Sequence, residues 1–162
     1  MVKTAIMCIF IVMPFSLQAS VLGELKRVGQ SSMNWAFFKL YDIELYSENG
    51  KFNNQQYPMA LNIIYARNIE KNDLIDATIK EWEKQKIVWK QQWVEQLKII
   101  WPSVKTQDQI LLYADQQQHS HFYHNNALVG SIKSAEFTQM FLAIWLSPET
   151  SETELRHQLI GK

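Results

Sequence analysis

The stretch "WAFFKLYDIELYSENGKF", residues 35–52, decides how the rest of the chain is read. Phe37, Lys39, Tyr41, Ile43 and Leu45 fall on one side of an extended backbone, and Phe38, Leu40, Asp42, Glu44 and Tyr46 on the other. That alternation predicts a strand over 35–47. Asn49-Gly50 follows it, the strongest short signal for a hairpin turn. A second strand, "YPMALNIIYARNI" at 57–69, carries Leu61, Ile63, Tyr65 and Arg67 on one face. Two long strands joined by a turn open an antiparallel sheet.

Helical spacing takes over next. Asn72 is placed to cap a helix whose stripe is Leu74, Ile75, Thr78, Ile79 and Trp82. A second helix is read from Trp89, Trp93, Leu97, Ile100 and Trp101, with Pro102 stopping it. The tryptophan spacing is what packing a helix on a sheet requires, so these rings are assigned to the core rather than to an aromatic ligand box. "QILLYADQ", 109–116, reads as a further strand. Phe137, Met140, Phe141, Ile144 and Trp145 mark a third helix that ends before Pro148. "SETE", 151–154, has the form of a capping box ahead of Leu155 and Leu159, and Gly161 ends that last helix. Strands, helices, a hairpin and helices again make an α+β fold with a largely antiparallel sheet.

His119, His121 and His124 raise the question of a metal site. In a strand, His119 and His121 point one way and His124 the other. Zinc takes three or four protein ligands, and Asn125-Asn126 suits the tip of a hairpin. We therefore read "HFYH" and "ALVGSI" as two arms of a hairpin and expect no metal and no cofactor. Ser, His and Asp are all present, but nothing in the sequence marks them as a nucleophilic triad.

The first nineteen residues have the layout of a secretory signal. Lys3 precedes an apolar run from Ala5 to Phe15, and Ala19 closes a short polar segment. The run is shorter than a membrane span of ~20 residues; an uncleaved anchor is the other reading. We expect cleavage near Ala19, export, and a periplasmic domain over 20–162 with no span of its own. The single cysteine, Cys8, lies within that segment, so packing alone must hold the domain. Fifteen Lys and Arg face sixteen Asp and Glu in the remainder. Such a balance leaves no basic footprint for nucleic acid. All six tryptophans lie in the domain and point to a large aromatic core or an apolar cavity.

In their order, "FFKLYDIELYSENGKF", "LNIIYARNIEKNDLIDATIKEW", "FYHNNALVGSI" and "FLAIWLSPETSETELRHQLIG" resemble the exported bacterial branch of the chalcone isomerase-like family. The resemblance runs from about Leu25 to Gly161. It implies an open-faced β-sandwich: a curved antiparallel sheet, helices packed on one face, and an apolar cleft between the layers. Plant enzymes of this kind cyclise a chalcone to a flavanone, with an arginine that polarises the carbonyl system and a supporting tyrosine. Other relatives lack the reaction and bind fatty acids in the same cleft. Carried over by position, the arginine falls near Ser31, the tyrosine near Leu74, and a further polar group near Ala143. Arg27 precedes the small-residue turn read at "VGQSSMNW" and is expected on the surface.

Stabilising enolate charge in a dry site requires a placed donor, and an apolar lining does not supply one. The expected function is therefore binding of a small apolar or amphipathic, fatty-acid-like ligand without catalysis. An active isomerase or intramolecular lyase with a rearranged set, Arg67 with Tyr41 or Tyr65, is the alternative. A protein-interaction module whose cleft is filled by its own aromatics is the third. Tyr41, Tyr65 and Arg67 are the candidate ligand-binding residues, Arg67 being suited to a carboxylate. The bland reading of Arg67 is an ion pair with Asp42, Glu44 or Asp73. The oligomeric state is not legible in the sequence.

Overall fold

The structure, a computed structural model, describes residues 21–162. The expected signal segment, residues 1–19, lies outside the described residues. Six strands, β1 (Lys26–Trp35), β2 (Phe38–Ser47), β3 (Met59–Tyr65), β4 (Gln109–Ala114), β5 (Ser120–His124) and β6 (Ala127–Ile132), form one sheet in chain order. Every neighbouring pair is antiparallel. The helices α1 (Lys71–Lys84) and α2 (Gln91–Ile100) lie between β3 and β4 in sequence, and α3 (Ala135–Leu146) and α4 (Thr153–Leu159) follow β6. The sheet is curved and open, with the helices on one face, as the family resemblance implies.

Strand parity works as expected in the middle of the sheet. Ile43, Leu45, Leu61, Ile63 and Tyr65 turn toward the helices and are buried. Leu112, Phe122 and Ile132 continue that floor. Against it α1 lays Leu74, Ile75, Thr78 and Trp82, and α2 lays Trp93, Val94 and Leu97. Phe137 sits at the centre of an aromatic cluster, with Trp82, Trp93, Phe122 and Phe141 all between 5.5 and 6.5 Å away, centroid to centroid. The Phe141 ring is stacked on it and the other three meet it edge to face; aromatic pairs in either arrangement add ~0.5–1.5 kcal/mol each beyond the burial of their area.

The first strand is one that the alternation does not reveal. "VGQSSMNW" reads as a turn from its small residues, yet with Lys26 and Arg27 it forms a strand that pairs with β2 along its length. Predicting a single strand from Trp35 therefore starts too late, and the chain reverses sharply at Ala36-Phe37, with Ala36 at φ 53°. The Asn49-Gly50 turn is present, Gly50 having φ 71°. It does not join the strands directly: residues 48–58 form a longer loop before Ser47 meets Met59. Gly29 is required where α4 crosses β1. A Cβ there would lie 2.3 Å from the Gln158 carbonyl oxygen and 2.6 Å from that of Leu159.

Two predicted caps give way to tertiary contacts. Glu70, not Asn72, stands at the start of α1. The Lys71 N–H is taken by the Ser103 hydroxyl, which donates in turn to Glu70. At α4 the capping box does not form. The Ser151 hydroxyl donates to Glu81 at 2.8 Å and its N–H to the same carboxylate at 3.1 Å. A charged acceptor from α1 outcompetes the local helix end, as charge-assisted bonds do. α3 is capped by Ser134, whose hydroxyl accepts from the Phe137 N–H. Trp89 precedes α2 and Trp101 follows its last residue, so only part of the tryptophan stripe is helical.

Candidate functional site

A cavity of about 680 Å³ lies between the sheet and the helices. Leu61, Ile63, Ile110, Leu112 and Phe122 line it from the sheet, and Leu74, Ala77, Phe141, Ile144 and Trp145 from the helices. Strand parity and the α1 stripe place these side chains, so the same residues that build the core also wall the space. Room remains beside the aromatic cluster, and the cleft is not filled by its own rings.

Polar groups concentrate toward one side. Tyr41 and Tyr65 are direct cross-strand partners, their rings 6.0 Å apart and edge to face. The Trp145 indole N–H donates to the Tyr41 hydroxyl at 3.0 Å. That bond uses the phenol as acceptor and leaves its own proton to a second acceptor. Burial pushes the Tyr41 hydroxyl up to about 12, against a smaller opposing effect from Trp145. Burial raises Tyr65 further, with Tyr41 adding to it. Burial thus holds both phenols in the neutral, hydrogen-bond-donating form at ordinary pH.

Arg67, two residues beyond Tyr65, lines the same cavity but is exposed. Its guanidinium lies over the Phe38 ring, 5.5 Å from the centroid. Among the described residues it forms no ion pair, so the bland reading fails for a specific reason. Asp42 is held by Lys39 and Ser32, and Glu44 by Arg27, Tyr46 and Asn62. Asp73 lines the cavity with Arg67 without bonding it. The structure thus brings all three candidates, Tyr41, Tyr65 and Arg67, to one cavity.

The positions carried over from the resemblance fare differently. Leu74 lines the cavity. Ser31 does not: its hydroxyl donates to Gln158 at 2.9 Å, under α4. Ala143 faces a separate depression beside Phe52 and Tyr57, and its neighbour Ile144 faces the cavity instead. Arg27 is on the surface, bonded to Glu44 at 3.1 Å. Sequence reasoning missed Lys80, Glu81 and Lys84 on α1, and Ser151 and Glu152 before α4, which also line the space. The α1 residues sit at helical spacing from Ala77 and could have been found from that face; the α4 pair depends on tertiary docking.

The histidines divide between two carboxylates. His121 Nε2 is 2.8 Å from Asp115, which also bonds the His119 N–H, while His124 lies 3.2 Å from Asp108. Asn125 and Asn126, at φ 47° and 68°, form the hairpin tip between β5 and β6. Ser131 bonds the other nitrogen of His121 at 2.8 Å. This Ser–His–Asp chain lies on the sheet face away from the helices and lines none of the cavities described.

A six-stranded antiparallel meander with helices on one face and a ligand-sized space between them defines an open-faced β-sandwich. The chain belongs to the chalcone isomerase-like family, whose model matches residues 24–161. An uncharacterised protein of Haemophilus influenzae is 28% identical over 156 residues, covering 95% of this chain and 77% of the relative. Among solved structures, a fatty-acid binding protein of Arabidopsis thaliana superposes with a TM-score of 0.67 at 11% identity, over 85% of this chain and 87% of that one. That likeness is one of fold.

Proposed function

We propose that this protein binds a fatty-acid-like amphiphile in the cavity between sheet and helices, without transforming it, after export to the periplasm. The observation that carries the reading is an apolar space of about 680 Å³ with Tyr41, Tyr65 and Arg67 on its wall. Small-molecule sites fall within roughly 300–1,000 Å³ and pair an apolar lining with a few polar groups that fix orientation. A carboxylate beside Arg67 would take a charge-assisted bond from the guanidinium and a second from a phenol. The hydrocarbon tail would run over Leu61, Leu112 and Phe122. Family membership and the fold shared with a fatty-acid binding protein support the same direction.

The alternative, an isomerase using Arg67 with a phenol, draws support from their common cavity. Against it, the guanidinium stands in solvent over Phe38, where its effect on developing charge is screened. Two measurements separate the readings. Native mass spectrometry of gently purified protein should show a co-purifying long-chain acid or take one up from solution. Incubation with chalcones should leave the spontaneous rate of flavanone formation unchanged; an acceleration abolished by Arg67→Ala would establish the alternative instead.

A further inference from the structure

The tip of the β1–β2 hairpin exposes its largest apolar side chains. Trp35 is 67% exposed, Phe37 100% and Phe38 59%. Ala36, in a left-handed conformation, makes the reversal that holds them outward. No carboxylate occurs between Asn34 and Tyr41. The cations there are Lys39, paired with Asp42, and Arg67, which lies over Phe38 without an ion pair among the described residues. The tip is also continuous with the cavity, because Met33, Trp35, Leu40 and Arg67 all line it. Farther along the rim, Lys80 and Lys84 are balanced by Asp73, Glu81 and Glu152, so charge there favours no particular partner.

Aromatic rings backed by an unneutralised cation match the chemistry of the bilayer interface. Trp and other amphipathic rings settle at headgroup depth, and Arg meets lipid phosphate. A partner protein would usually supply a pocket for such rings, but a ring with no neighbour at all, such as Phe37, needs only a fluid apolar phase. We propose that the β1–β2 tip inserts into the interfacial layer of an anionic phospholipid membrane, placing the cavity rim where an amphiphile can pass between bilayer and protein. The purpose rests on the ligand reading above; the insertion does not.

Flotation of the purified protein with vesicles tests the proposal. Vesicles of phosphatidylcholine mixed with phosphatidylglycerol should carry the protein upward, and phosphatidylcholine alone should carry less. Phe37→Asp, in a chain of the same length, should lower the partition coefficient by roughly tenfold, about the effect of losing burial of one ring. Phe37→Ser should fall between the two. Phe37 lines no part of the cavity, so a soluble fluorescent fatty acid should bind wild type and Phe37→Asp equally. Absence of flotation by the wild type, or equal flotation of both proteins, overturns the proposal. So does loss of the soluble probe in Phe37→Asp, which would make the tip part of the ligand site. If the substitution splits a dimer without altering flotation, the tip is a contact between copies. Flotation that depends on Phe37 without any binding of the probe would leave insertion standing and remove the ligand reading.

Discussion

The Tyr41 hydroxyl and the Trp145 indole nitrogen, 3.0 Å apart, join the sheet to α3 beside the cavity. The bond is part of the wall that a ligand would meet. Tyr41→Phe should leave the indole N–H without its partner in a largely buried place. The cost should be ~1–3 kcal/mol, read as a lower midpoint in urea unfolding. The double change, Tyr41→Phe with Trp145→Phe, should cost less than the sum of the two single changes.

Arg67→Gln separates binding from folding. The side chain is exposed, so stability should change by no more than ~0.5 kcal/mol. Affinity for a long-chain carboxylate should fall by roughly tenfold or more, the scale of a lost bond to a charged group. The corresponding alcohol should bind both proteins alike. Titration with a fluorescent fatty acid, followed by displacement with each ligand, checks both statements.

Asp108 should leave a signature at low pH. The Asn125 amide and the Lys105 N–H hold its carboxyl at about 2, with His124 adding to the effect, against an ordinary value of 3.8. A depressed folded value stabilises above the unfolded one and is lost as pH falls through the folded one. Asp108→Ala should therefore be less stable than wild type at neutral pH, with the difference shrinking as pH drops from about 3.8 to about 2. Unfolding midpoints across that range measure it.

Gly29→Ala tests the seating of α4. The added methyl would strike two backbone carbonyls rather than flexible side chains. Overpacking of this kind costs ~1–3 kcal/mol. Faster hydrogen exchange confined to α4 and β1 would show that the helix has lifted; an unchanged exchange pattern would contradict the tight crossing.

Phe137→Ala removes the hub of the aromatic cluster. Truncating a buried aromatic costs ~3–5 kcal/mol. Differential scanning calorimetry should show it as the most damaging of these substitutions.

What could be read from the sequence follows the reach of each signal. The parity of Tyr41, Ile43 and Leu45 survives because that face of β2 meets the core from Tyr41 to Ser47. β1 escapes notice because, at the edge of the sheet, it is exposed or half-buried throughout, and no hydrophobic alternation is imposed on it. The caps at Asn72 and Ser151 were plausible locally, but Ser103 and Glu81 are brought in by the fold from distant parts of the chain. The site shows the same division. Tyr41 and Tyr65 come together through strand register, which the alternation encodes, whereas Glu81 joins them only through helix packing.

The crossing of α4 over Gly29 also sets an order in time. β1 leaves the ribosome early and α4 late, yet Met33 and Trp35 of the strand and Ser151 and Glu152, just ahead of the helix, line the same cavity. Until the late helix docks on Gly29, nothing seats the Ser151–Glu152 segment against the rest of the cavity wall. On the proposed ligand reading, loading then belongs to the life of the finished protein rather than to its making.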